Sequence, residues 1–448
     1  MLRSVIHCWA IRALVASFAG FHSGCSVTPV SVHEVSHRKT IHSKAGNLRP
    51  LPASLGEASS GQVVGKVDPG AGNRTASRSF SRSGLVVNRI LLAERYELKG
   101  LRRRYRTPGE GQAAVALLTP QPQSSLREYY TLDYVYVPVT IMNPGRAGPE
   151  MTDKGRSFLV IDDESSSGQA GDDSGALATD TTLPLAMLLS QTRFVPERYS
   201  GLLNPGHFGG TRGLFLLEPY DSNKVPILMI HGLMSSPLTW MELTNDFLGD
   251  AYVGTHYQIW HYVYPTGQSL FYSAKGLRDS LDALKRAVAL ARLPQPKPMI
   301  VIGHSMGGLL AKSLVCDSGE NLWDAVFTVR PERLTVSKDA LDDLQGSFFF
   351  KARKDVAKVI FMATPQRGSS LATNWLGRLG SRLVHLSGDW SAENRLIARE
   401  ERAYIRPQML RYFERGGSSS IDSLSPKHPL LAAFESLVPV RAYHVTLL

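Results

Sequence analysis

The sequence predicts an α/β protein with a mostly parallel sheet and helices on both faces, preceded by a flexible N-terminal region and leading β-strands. Three observations carry this prediction. Val225–Ile230 and Met299–Ile302 are continuously apolar, the pattern of parallel strands covered on both faces. Each run ends in a glycine-containing turn, His231-Gly232 and Gly303-His304-Ser305-Met306-Gly307-Gly308. Leu277, Leu281, Leu284 and Val288 form one apolar stripe at helical spacing, suited to packing on a sheet.

A chain of 448 residues can hold one large α/β domain with additional segments, and 43% hydrophobic content supports a sizeable core. The net charge of +11 is unevenly placed. Residues 1–106 hold 17 Lys and Arg against 5 Asp and Glu, whereas the remaining 342 residues hold 33 against 34. The basic excess is thus a property of the N-terminal region, where sparse aromatics favour a solvated tether over a nucleic-acid surface. No helix-turn-helix, RNA-recognition or zinc-module pattern occurs, so no nucleic-acid partner is expected. Cys8, Cys25 and Cys316 support neither a disulfide framework nor a zinc site, and residues 65–72 lack the ending of a phosphate-binding loop. No cofactor or metal is expected, and the sequence gives no signal of oligomeric state.

In chain order, residues 1–25 read as a signal peptide. Arg3 and Arg12 supply positive charge, and Ala13–Phe21 is an apolar core too short to span a bilayer. Ser23-Gly24-Cys25 resembles the end of a bacterial lipobox, although His22 stands where that pattern prefers Leu. Cys25 is therefore the lipidation candidate, and the expected location is the bacterial cell envelope, with a lipid tether to a membrane surface. Residues 26–84 read as a disordered, basic, Ser/Gly-rich linker. Residues 85–210 read as a helical/β segment. Val86, Ile90, Leu91 and Leu98 fall near one helical face, Tyr134–Ile141 and Ser157–Ile161 are β-rich, and Asp162–Asp180 forms a mobile acidic loop. Leu214–Leu217 is a further leading strand.

Residues 211–448 hold the main α/β domain. Tyr257–Tyr264 and Lys358–Ala363 add strands, Asn374–His428 is a long helical and polar excursion, and Arg441–Leu447 is the last strand candidate. Trp375, Leu376, Leu379, Leu383 and Leu386 either line an acyl-chain site or form an ordinary amphipathic helix.

The chemistry rests on the turn after Ile302. Strand, Gly303-x-Ser305-x-Gly307, helix is the pattern of a nucleophile elbow, so tight that only small residues fit two positions either side of the serine. A serine hydrolase must also stabilise a negatively charged oxygen with preorganised N–H donors. One comes from the residue after the nucleophile, Met306. The other comes from the loop after an earlier strand, at Leu233 or Met234, of which Leu233 is the expected donor.

Residues 225–240 (VPILMIHGLMSSPLTW), 264–274 (YPTGQSLFYSA), 303–315 (GHSMGGLLAKSLV) and 361–370 (FMATPQRGSS) resemble bacterial α/β-hydrolase-fold proteins of the lipase/esterase type. The resemblance implies an eight-stranded, mostly parallel sheet and acyl transfer to water through an acyl-enzyme. It also implies a triad in the chain order serine, acid, histidine. In that pattern the acid follows the strand at Arg441–Leu447 and the histidine follows one more strand. The domain at 211–448 therefore reads as C-terminally incomplete, and the acid and base are unassigned. His385, His428, His444, Asp389 and Asp422 read better as surface, packed, capping or turn residues than as triad members.

Two functions follow as expectations. The first is a serine hydrolase that cleaves carboxylic esters or lipids through an acyl-enzyme on Ser305. The alternative is a catalytically inactive binding or interaction protein on the same fold, since fold alone does not fix function.

Overall fold

The computed structural model describes residues 30–34, 84–109, 111–130, 134–142, 158–160, 177–191, 212–369, 388–440 and 444–447. The chain divides into two compact units: Met1–Thr192 with Leu217–Tyr220 and Met241–His256, and Arg193–Leu216 with Asp221–Trp240 and Tyr257–Leu448. No described helix is long and apolar enough to cross a membrane.

The first unit contains β1 (Ser31–Glu34), β2 (Leu85–Leu92), β3 (Tyr96–Lys99), β4 (Arg106–Thr107), β5 (Gln112–Pro120), β6 (Val135–Met142), β7 (Phe158–Val160) and β8 (Thr179–Asp180). Its helices are α1 (Thr182–Gln191), α2 (Met241–Gly249) and α3 (Ala251–His256). The main sheet has the order β2-β5-β6-β7 and is antiparallel, while β1 pairs with β3 and β4 with β8. Ala93, Val115, Leu117, Tyr136, Leu183, Met187 and Leu188 form its core.

Three expectations are corrected in this unit. The segment from Leu85 is a strand rather than a helix: β-branched Val86, Val87 and Ile90 pair antiparallel with β5. A register shift between Val87 and Arg89 breaks the two-residue alternation and leaves an apolar spacing that mimics a helix. Ser31–Glu34 lies inside the stretch read as linker yet forms β1, because Val32 packs against the core. Asp180 is not part of a mobile loop. It is fully buried, accepts from Arg104 Nε at 2.8 Å and accepts the Leu183 N–H at 2.9 Å. A buried carboxylate needs such partners, and the basic run at Arg102–Arg104 supplies one.

The second unit is built on a sheet of order β14-β13-β12-β10-β11-β9, with β9 (Gly213–Leu216), β10 (Val225–Ile230), β11 (Tyr257–Val263), β12 (Met299–His304), β13 (Val356–Met362) and β14 (His444–Leu447). All neighbours are parallel except β9, which runs antiparallel to β11. The described sheet thus has six strands rather than the eight expected. β10 and β12 lie side by side in its middle, so both bury nearly every residue, and that is why neither alternates. The helix α4 (Leu270–Leu290) buries Leu277, Leu281, Leu284 and Val288, the predicted stripe. The remaining α-helices described are α5 (Met306–Lys312), α6 (Asn321–Val326), α7 (Lys338–Phe348), α8 (Gly388–Glu400), α9 (Pro407–Glu414), α10 (Ser420–Ser423) and α11 (Pro429–Glu435).

Candidate active site

Because β10, β11 and β12 are parallel, their carboxyl ends lie along one edge of the sheet, where open α/β sheets place ligand sites. Ser305 stands at that edge, between the end of β12 and the start of α5. Its backbone has φ 53° and ψ −124°, a conformation a side chain rarely adopts and one held only by its surroundings. The Ser305 N–H donates to the Met362 carbonyl at 2.8 Å, and the Ser305 carbonyl accepts from Gly308 N–H at 3.0 Å.

The flanking glycines are steric requirements. A Cβ on Gly303 would lie 2.5 Å from the Gly308 Cα. One on Gly307 would overlap the Ile230 and His231 carbonyls, and one on Gly308 would overlap the Thr364 side chain. The close approach of α5 to β10 and β13 therefore depends on missing side chains, as the spacing predicts.

The loop after β10 lies against the nucleophile. A Cβ on Gly232 would sit 2.9 Å from the Ser305 Cβ and 3.1 Å from the His304 carbonyl. Next along, Met234 is left-handed at φ 52°, and its N–H donates to Thr266 Oγ1 at 3.3 Å. Among the described residues no hydrogen bond engages the Leu233 or Met306 N–H. The Ser305 hydroxyl likewise makes no hydrogen bond among the described residues.

The histidines of the two strand-end turns, His231 and His304, are structural in their environment. His231 is buried, stacks on Tyr264 with ring centroids 4.5 Å apart, and has Nδ1 3.1 Å from the Gly232 carbonyl. The Tyr264 hydroxyl donates to the His231 carbonyl at 2.7 Å. Burial pushes the His231 imidazole down to about 4, with the neighbouring His304 adding to the effect. His304 lies edge-on to Trp240 and is also pushed down to about 4 by burial. Both are neutral at pH 7.

Residues 227–443 match the model of the alpha/beta hydrolase family. The parallel sheet and its strand-end turns have the α/β-hydrolase fold. Its structure is similar to that of a lipase from Bacillus licheniformis, BlEst2 in mature form, at 20% identity and TM-score 0.24, covering 44% of this chain and 66% of that one. It is also similar to esterase B from Lactobacillus rhamnosis inhibited by a tributyrin phosphonate, at 14% identity and TM-score 0.24, covering 44% and 58%. EstE1, a thermophilic carboxylesterase from a metagenomic library, matches at 17% identity and TM-score 0.22, covering 51% and 71%. The chain spans less than two-thirds of the first two of these structures. A comparison with curated proteins gave no match.

In the hydrolase domain the other residues weighed from the sequence fall as follows. His428 is not solvated: it is fully buried, with Nε2 3.0 Å from Ser418 Oγ and its ring tilted on Tyr412 at 4.5 Å. The Lys427-His428-Pro429 turn conceals this, because His428 takes the N-cap position of α11 with its side chain buried. Asp422 closes a capping box with Ser419, consistent with a capping role. His444 sits on β14 opposite Val359. Asp389 lies on α8. Cys316 is buried, as a small core residue would be. Cys25, His385 and the apolar residues from Trp375 to Leu386 lie outside the described residues. Among the described residues no group of three or more His, Cys, Asp or Glu could hold a metal ion.

Sequence reasoning missed Tyr264 and Thr266, which anchor the loop after β10. The available signal was the Tyr-Pro-Thr-Gly run directly after a parallel strand, a turn at the site edge of the sheet.

Proposed function

We propose that the protein is a serine hydrolase that cleaves carboxylic esters through an acyl-enzyme on Ser305. The observation that carries this reading is the left-handed Ser305 at the end of β12, with the Gly232 backbone packed against it. In the proposed reaction the Ser305 Oγ attacks the ester carbonyl carbon, and its proton passes through a general base to the departing alkoxide oxygen. The carbonyl oxygen takes up the negative charge and meets the N–H groups of Met306 and Leu233. Collapse expels the alcohol and leaves the acyl group on Ser305, and water then releases the acid. For the N-terminal segment we propose export and lipidation at Cys25, read from Ser23-Gly24-Cys25.

The test is turnover of p-nitrophenyl butyrate by the wild type beside Ser305→Ala. The expected result is measurable turnover that falls at least about 10³-fold in the variant. Equal rates in the two proteins would overturn the assignment of Ser305. A folded wild type with no turnover would instead favour a binding protein on the same fold.

A further inference from the structure

We infer that Thr266 is a positioning residue for the proposed reaction: by accepting the Met234 N–H it leaves Leu233 as the loop's oxyanion donor. The inference rests on the reading of Ser305 as nucleophile.

The geometry is that of a loop held from its neighbouring strand. β11 lies beside β10, and its continuation, Tyr264-Pro265-Thr266, runs past the loop that follows β10. Tyr264 holds the loop's first residue through its 2.7 Å hydrogen bond to the His231 carbonyl and through stacking on the His231 ring. Thr266 holds the last through its contact with Met234. Gly232 and Leu233 lie between these two anchors, and a Cβ on Gly232 would stand 2.9 Å from the Ser305 Cβ.

Two details give Thr266 a selecting role. Two successive N–H groups, Leu233 and Met234, are candidates for one developing charge. A donor already bound to a protein oxygen must break that bond to serve. Thr266 therefore withdraws Met234 and leaves Leu233. Met234 is also left-handed, a strained state for a residue with a side chain, and needs a partner to persist. Thr266 is 2% exposed, so its hydroxyl cannot be replaced by bulk water. The Gly267 carbonyl beside it accepts from the Ser420 N–H at 3.2 Å, which ties the strap carrying Thr266 to α10. Removing the Thr266 oxygen frees Met234 to relax, and the Leu233 N–H moves with it.

The experiment compares wild type, Thr266→Val and Thr266→Ser in hydrolysis of p-nitrophenyl butyrate and in inhibition by an alkyl trifluoromethyl ketone, whose serine adduct carries the oxyanion. Thr266→Val is expected to lower kcat about 10-fold with KM within about twofold, because only the charge formed in the transition state loses its donor. Inhibition should weaken by the same factor, and Thr266→Ser should recover most of both. Unchanged kcat and inhibition in a folded Thr266→Val protein would overturn the inference while Ser305 stands. A wild type that hydrolyses no ester would remove the Ser305 reading and the inference with it. Amide exchange in the wild type gives a check independent of any variant: the Met234 amide is expected to be protected, and exchange at the rate of an open loop would overturn the inference.

Discussion

Gly232 and Ser305 are packed so closely that one methyl group on the glycine would stand 2.9 Å from the serine Cβ. The contact links the two strand-end turns that the sequence displays separately, and it makes a direct prediction. Gly232→Ala must push the β10 loop away from Ser305 and carry the Leu233 N–H out of reach of the oxyanion. The expected loss is about 10²-fold in kcat, the scale of removing one oxyanion donor, with the fold retained. Steady-state kinetics with a thermal melt of the same protein checks it; full activity would show that the loop is not part of the site.

Gly307 constrains the fold more than the chemistry. Its Cβ would overlap the Ile230 carbonyl, which belongs to a buried central strand and cannot move aside. Gly307→Ala is expected to destabilise by about 1–3 kcal/mol through overpacking. Denaturant titration would read this as a lower midpoint at unchanged slope.

Acid should destabilise the hydrolase domain through its buried histidines. Burial lowers His231, His304 and His428 from 6.5 to about 4 and His261 to about 3. The unfolded chain therefore binds more protons than the native one between pH 6.5 and about 4, and stability falls as pH drops through that window. It is flat with respect to these groups above pH 7. Thermal midpoints from pH 7.5 to 4.5 should show the fall, and His428→Asn should make it shallower. An identical pH slope in the variant would mean that His428 is accessible to protons in the native state.

Asp180 anchors the first unit through Arg104, which also donates to the carbonyls of Tyr96 at 2.9 Å and Ala93 at 3.1 Å. Asp180→Ala leaves that guanidinium without its carboxylate and frees an N–H at the start of α1. We expect a loss of about 3 kcal/mol, toward the low end for a broken buried pair because Arg104 is partly exposed. Equilibrium unfolding compared with wild type would measure it.

The parts of the hydrolase domain that the sequence displays are those where one physical demand dominates. Burial on two faces makes β10 and β12 continuously apolar, and the tight turn at Ser305 demands glycine at 303 and 307, so both are legible. The segment from Leu85 was misread because a bulge near Asn88 disrupts strand alternation. Asp180 and His428 were misread because each is polar, sits among polar neighbours and is buried only by tertiary contacts: Arg104 lies 76 residues away from Asp180, and Ser418 lies ten residues before His428. Thr266 was missed for the same reason, since nothing in the sequence around it names Met234 as its partner.

The most direct test of the central claim is covalent labelling by a fluorophosphonate, followed by peptide mass analysis, in wild type and Ser305→Ala. The account predicts one adduct on the peptide containing Ser305 and none in the variant. A folded wild type that takes up no label, or a label that persists when Ser305 is replaced, would contradict it.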